Sequence, residues 1–326
     1  MKSILTLCLI GILISSSICA QNSDYIVPQK LEAADFQLPE DQEFLKKFDS
    51  VKIPKLVQPM LKTEEEYIVP WLRKRIADTQ DYELTIEMMR QGVLVTEQQF
   101  AWVKSEVDAC AAVLHISPPP AVFIVGKGRM KADTVNFKNP FIVIPSELID
   151  KSSAMALRFA IGRQIGHIKC GHVFYKLLTA GTSDSLEFVL GKWGQELLNS
   201  FFGKVNELIL VDWILAREIS ADRAGLIACQ DLDIAQRALL NFKLAISFEG
   251  IELNVQDYLE QANLATKKQK LILENLPEPV RKGIDHWQRS ERLQSEHPFI
   301  FQRIKALQEY AESEAYRKLF ESRDNP

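Results

Sequence analysis

The chain has 326 residues, 47% of them hydrophobic, enough to bury a substantial core in one large domain or one domain with a helical extension. A formal net charge of −4 and a pI near 5.9 argue against nucleic acid or an anionic membrane as an electrostatic partner. In chain order, Lys2, the apolar run Ile4–Ile14 and the small-residue stretch Ser15–Ala20 have the layout of a signal peptide cleaved after Ala20. The run is too short to anchor in a bilayer, and the bulky Ile18 argues against lipid attachment at Cys19. The mature protein is therefore expected in the periplasm or outside the cell. Residues 21–62 are polar and dotted with prolines, and read as an extended or flexible leader. The remainder, 63–326, divides into a helical part over 63–117 and a motif-bearing part over 118–326.

Thr63–Glu66 has the form of a capping box that opens a helix to about Asp78, with Pro70 as a kink point. Thr96–Gln99 opens a second helix. Its stripe of Phe100, Val103, Val107, Ala111 and Leu114 ends near His115, ahead of the stop at Pro118–Pro120. Ala121–Val125 and Phe141–Ile144 read as strands. Ser153–Leu178 reads as one helix. Leu186–Leu215 is strongly apolar, but Lys192, Glu196, Lys204 and Glu207 interrupt it. Buried or amphipathic helices are expected there, with room for peripheral membrane contact. A helix around Glu218 follows, then Asp233–Phe248 and Val255–Glu274. Pro277–Pro279 breaks the pattern, and Pro298–Arg323 closes the chain as one long helix. Cleavage would leave Cys110, Cys170 and Cys229, an odd number that allows at most one disulfide, and half-buried cysteines acting as small apolar residues are the favoured reading.

The chemistry concentrates at Arg163-Gln-Ile-Gly-His167 and Glu218-Ile-Ser-Ala-Asp222. In H-E-x-x-H, two histidines four apart on a helix bind zinc, and the Glu between them is general base to the metal-bound water. Here Arg163 stands at the first histidine's position and Gln164 at the base's; His167 stands at the second histidine's. A fixed cation is the opposite of a zinc ligand. An amide holds water by hydrogen bonding but takes no proton at neutral pH.

The two blocks resemble the gluzincin metallopeptidases of the CAAX prenyl protease and HtpX type, in particular the exported BepA-like branch. That family reads roughly G-H-E-x-G-H-I-x-x-G-H and E-x-S-x-D-R-A-G. Gly162, Gly166, His167, Ile168, Gly171 and His172 fit the first block. Glu218, Ser220, Asp222, Arg223, Ala224 and Gly225 fit the second. The likeness runs from about Pro118 to about Tyr310 and includes Pro140–Leu148, His297-Pro298 and Arg303-Ile304. It implies an α+β, predominantly α, zincin-like fold with a small β-sheet beside the motif helix. It also implies Glu218 as third zinc ligand and Asp222 as the carboxylate that orients a ligating histidine.

Only His167 and Glu218 remain at ligand positions, and catalytic zinc sites want three protein ligands. No cofactor is expected, and zinc would need non-standard ligation. Arg163 should reach into the metal's former place and pair with Glu218. Cys170, three residues after His167, is a candidate third ligand with His167 and Glu218. His172 and Cys170 are also cleft candidates, although His172, about 140° further round an unbroken helix, should face elsewhere. His297 is a cleft candidate as the H-P element, or simply part of a helix start with Pro298; His115 and His286 have no supporting context. The expected function is a pseudoprotease that binds a peptide or protein in the old substrate cleft. An active zinc endopeptidase with unusual ligation is the alternative.

Overall fold

The computed structural model describes residues 25–53, 55, 58–77, 80–126, 132–136, 138–179, 207–246, 253–284 and 300–321. The fold is α+β and mostly helical, with one four-stranded sheet. The strands are β1 (Val93–Leu94), β2 (Ala121–Val125), β3 (Asp133–Val135) and β4 (Phe141–Pro145), in the order β1-β2-β4-β3. β2 and β4 run parallel, with Val122 opposite Ile142 and Ile124 opposite Ile144; the outer pairs are antiparallel. Alternate residues share a face. Val122, Ile124, Ile142 and Ile144 accordingly enter one core with Val107 and Ala111 of α5 (Ala101–Val113) and Ala156, Ala160 and Ile161 of α7 (Ala154–Lys169).

The stretch before this core is where the structure departs most from expectation. Residues 21–62 were expected to form an extended leader. From residue 25 they instead fold onto the core through a 3-10 turn (Ala33–Asp35), α1 (Pro39–Asp49) and α2 (Gln58–Leu61). Leu31 and Phe36 are buried in the main cluster. Phe44 and Phe48 join Ile53, Leu61, Ile68, Leu72, Phe174, Tyr175 and Trp213 in a second cluster, where Phe44 stacks on Trp213 at 4.5 Å. Backbone bonds hold the strap to distant elements: Leu38 N donates to Ser220 Oγ at 3.0 Å, and Ile26 N to Gln230 Oε1 at 2.9 Å.

The helix expected from Thr63 begins later, as α3 (Ile68–Ala77). Residues 66–68 are held extended by Ile53 N donating to Glu66 O at 2.8 Å and Ile68 N to Val51 O at 3.0 Å. Pro70 therefore falls in the first turn, where no backbone donor is needed, and no kink follows. α4 (Gln80–Gln91), β1, β3 and the short α6 (Ser146–Lys151) were not anticipated. α5 starts at Ala101, after a turn in which Thr96 Oγ1 accepts from Gln98 N and Gln99 N.

The expected helix over Ser153–Leu178 is two helices. α7 starts at its N-cap Ser153, whose hydroxyl accepts from Ala156 N, and stops at Cys170. Gly171 at φ +71° breaks it, and α8 (His172–Thr179) leaves in a new direction. α9 (Glu207–Cys229) packs against α7 along a seam of small residues. A Cβ on Gly162 would lie 2.5 Å from the Ala228 Cβ, and one on Gly166 2.5 Å from the Ala224 Cβ. That close approach carries α7's side chains to α9's.

α10 (Leu232–Leu244) ends before the expected Phe248, turning at Ala245 with φ 53°. α11 (Val255–Glu274) has the expected bounds. The long closing helix is also two, α12 (Ile300–Ala311) and α13 (Glu314–Phe320), divided where Ser313 caps the second by accepting from Tyr316 N. Residues 186–206, with most of the apolar run, and His286, His297 and Pro298 lie outside the described residues. Among the described residues no helix is long and apolar enough to cross a membrane.

Candidate functional site

Arg163 and His167 stand one turn apart on α7, and Glu218 and Asp222 one turn apart on α9, so the glycine seam makes the two pairs converge. The Arg163 guanidinium fills the space between them. Its Nη2 donates to Glu218 Oε2 at 2.8 Å and its Nε to Asp222 Oδ1 at 2.5 Å. Gly225 allows this, because a Cβ there would sit 2.7 Å from Arg163 Cγ. Arg217 adds an Nη2 donation to Glu218 Oε1 at 3.0 Å.

A second buried guanidinium, which the sequence reading did not assign to the site, comes from α12. Arg303 donates from Nε to Asp222 Oδ2 at 2.7 Å and from Nη2 to Asp222 Oδ1 at 2.8 Å, and its Nη1 lies 3.7 Å from Glu218 Oε2. The signal was there. Arg303 falls on the stripe made by Ile300, Ile304 and Leu307, where a cation needs a buried partner. Burial opposes the charge on Arg303, but Asp222 and then Glu218 outweigh it and raise its pKa. Side-chain exposure is 4% for Arg163 and Glu218, 1% for Arg303 and 0% for Asp222. Asp222, expected to orient a histidine, instead accepts from two arginines.

Gln164 is locked rather than poised. Its Nε2 donates to Ala132 O at 3.0 Å and its Oε1 accepts from Thr134 Oγ1 at 2.9 Å, tying α7 to β3. His167 Nε2 lies 4.0 Å from Glu218 Oε1. Burial, chiefly, holds the His167 imidazole well below its ordinary pKa; Glu218 opposes this, while His172, Arg163 and Arg217 add to it.

His172 does line the cleft, as one of the candidates, and only its expected facing is corrected. The break at Gly171 swings it round, so that its Nδ1 is 2.9 Å from His167 Nδ1 and its Nε2 is 2.7 Å from Asp41 Oδ2. A neutral His172 that donates to Asp41 must accept at Nδ1. His167 then donates from Nδ1 and presents a bare Nε2 to the cleft. Asp41 comes from α1, within the supposed leader. It also accepts from Trp213 Nε1 and Gln37 Nε2, each at 3.0 Å. Burial would raise its pKa, but the His172 and Gln37 hydrogen bonds outweigh that and lower it. Between Gln164, His167, Arg217 and Glu218 a cavity of about 20 Å³ remains, room for about one water.

A zinc ion between His167 and Glu218 would have to displace the Arg163 guanidinium, whose donors are committed to Glu218 and Asp222. The residues present do not fit the metal at that place. Cys170 does not join His167 and Glu218 as a third ligand; its sulfur lies with Asp41 and His172, all three ligand atoms within 4.8 Å of one another. This group could hold an ion, so the expectation of a chain without metal is not supported. Among the described residues all three cysteines are free and buried.

A curated relative, the plastoglobule-localized metallopeptidase 48, chloroplastic, of Arabidopsis thaliana, is 25% identical over 242 residues, which cover 72% of this chain and 64% of the relative. The chain thus spans less than two thirds of that relative's length. No solved structure matches it. Residues 97–311, which hold the seam, both motif helices and Arg303, match peptidase family M48, and the chain belongs to that family of zinc metallopeptidases.

Proposed function

We propose that this protein is a non-catalytic member of the family, a pseudoprotease of the exported, BepA-like branch that binds a peptide or protein partner without cutting it. The observation that carries the reading is Arg163, bonded to Glu218 and Asp222 where the family's metal would sit. Peptide hydrolysis on this scaffold needs an activated water and a base. Gln164 cannot take a proton, and losing a general base alone costs about 10²–10⁴ in rate. Its amide is also held by Ala132 and Thr134. Binding has better support: β3 is an edge strand beside the cavity, a place where an extended peptide can add main-chain hydrogen bonds. The signal-like start of the chain favours export.

The test compares the natural chain with the double variant Arg163→His, Gln164→Glu. The natural chain should leave an unfolded protein substrate intact, with or without added zinc. The double variant should bind one zinc per chain more than the natural chain and cleave that substrate weakly. Chelator-sensitive cleavage by the natural chain would overturn the reading in favour of an active zinc endopeptidase. A double variant with no additional zinc would show that the cleft no longer has the family's shape.

A further inference from the structure

We propose a metal site separate from the family's zinc position, formed by Asp41, Cys170 and His172, taking zinc or a similar borderline-soft divalent cation in a structural role. It does not depend on the pseudoprotease reading. A carboxylate oxygen of Asp41, Cys170 Sγ and a ring nitrogen of His172 lie within 4.8 Å of one another, with Asp41 Oδ2 and His172 Nε2 at 2.7 Å, and the three residues are 0%, 7% and 1% exposed.

Cys170 is what makes the group more than a buried histidine–aspartate pair. The other two cysteines have backbone acceptors: Cys110 Sγ donates to Arg158 O at 3.4 Å and Cys229 Sγ to Asp231 O at 3.5 Å. The Cys170 sulfur makes no hydrogen bond among the described residues, and it stands beside a carboxylate and an imidazole. Thiolate, imidazole and carboxylate together suit zinc. The charges close as well. A divalent ion with one thiolate, one carboxylate and a neutral imidazole is neutral, so the burial cost falls on no net charge.

The surroundings hold the ligands from behind. Trp213 Nε1 donates to the far oxygen of Asp41 at 3.0 Å, and His167 Nδ1 lies 2.9 Å from the far nitrogen of His172. Such outer partners fix ring orientation and ligand basicity. On binding, the thiol proton leaves to solvent, while His172 shifts its one ring proton from Nε2 to Nδ1 and donates from there to His167, whose own proton moves to its Nε2. The His172–Asp41 separation then opens from 2.7 Å to about 3.3 Å, as tetrahedral bonds of about 2.0–2.3 Å require. Gln37, whose amide already touches Asp41, can supply its oxygen as the fourth ligand after turning over. Gly171, at φ +71°, lets Cys170 and His172 serve one ion, because an unbroken helix would put them on different faces.

The experiment uses the full chain, reduced, with cobalt(II) as a spectroscopic probe and zinc for stoichiometry after dialysis. One zinc per chain is expected, with a thiolate-to-cobalt charge-transfer band in the near ultraviolet. Cys170→Ala should abolish the band and weaken zinc binding by more than the roughly 10–100-fold that losing an outer partner costs. Zinc should also raise the melting temperature of the natural chain but not of Cys170→Ala. The band needs no variant, so a misfolded mutant does not shield the idea. Absence of band and zinc from the natural chain overturns this site alone. Zinc kept by Cys170→Ala but lost by Glu218→Gln places the ion in the old cleft and overturns the pseudoprotease reading too.

Discussion

Removing Glu218 should destabilise the fold far more than removing Arg163, although both changes break the same 2.8 Å hydrogen bond. Three guanidiniums, Arg163, Arg217 and Arg303, face two carboxylates, Glu218 and Asp222. Glu218→Ala leaves two buried cations, Arg163 and Arg303, with Asp222 alone, and takes from the half-buried Arg217 its carboxylate partner. Arg163→Met leaves Glu218 paired with Arg217 and Arg303, and Asp222 with Arg303, so no charge is stranded. Stranding a buried charge costs about 3–5 kcal/mol, and the side chains of Arg163 and Glu218 are only 4% exposed, so solvent screens little of it. At roughly 2–4 °C per kcal/mol, Glu218→Ala should lower Tm by roughly 6–20 °C. Arg163→Met should cost no more than about 2 kcal/mol, its lost charged hydrogen bonds offset by relief of the excess cation. Urea unfolding at constant slope gives both values, and the double variant Arg163→Met, Glu218→Leu should lie above Glu218→Ala. Equal losses for the two single variants, or a Glu218→Ala protein as stable as wild type, would mean the cluster is solvated and the charge count irrelevant.

Gly166→Ala should cost about 1–2 kcal/mol, overpacking the α7–α9 seam by more than the gain in helix propensity returns; a chain of unchanged stability would mean the helices are not in contact there. Because burial holds the folded His167 imidazole well below its ordinary pKa of 6.5, the unfolded chain takes up its proton first. Stability is therefore full above about pH 6.5 and falls as pH drops toward the folded pKa. The urea midpoint should be lower at pH 5.5 than at pH 7.5, and the same acid loss persisting in His167→Gln would assign it elsewhere. A chain beginning at residue 50 loses Leu31, Phe36, Asp41, Phe44 and Phe48 and should lack cooperative unfolding by circular dichroism. Native-like melting of that truncation would restore the view of the segment as a dispensable leader.

The strands β2 and β4 and the helix α11 were legible because each carries its own period and stop signals within a few residues. The Arg163–Glu218 pair was legible because two motif blocks fixed which positions face each other. The break at Gly171 was not. Lys169 followed by Gly171 is a fair helix stop, but Gly162 and Gly166 lie uninterrupted in the same helix, where they serve the seam. Sequence alone does not separate a packing glycine from a terminating one, and His172 was misplaced as a result. The strap was illegible for a different reason. Trp213, which stacks on Phe44 and donates to Asp41, and His172, which meets Asp41, lie more than a hundred residues further along, and polar composition with scattered prolines outvoted two phenylalanines four apart. Arg303 was missed because its oddness shows only against its own helix stripe.

The strap also sets a temporal order. Its bonds reach across 131 residues from Asp41 to His172, 172 to Trp213, and 204 from Ile26 to Gln230. The stretch synthesised early therefore has only near partners such as Ile53, Leu61 and Ile68 until α8 and α9 exist, and the beginning of the chain is finished near the end of folding. Closures this remote slow a fold, and until they occur Phe44 and Phe48 stay partly uncovered, a surface for self-association or for a chaperone. Hydrogen-exchange pulse labelling during refolding should find the amides of α5 and α7 protected before those of α1.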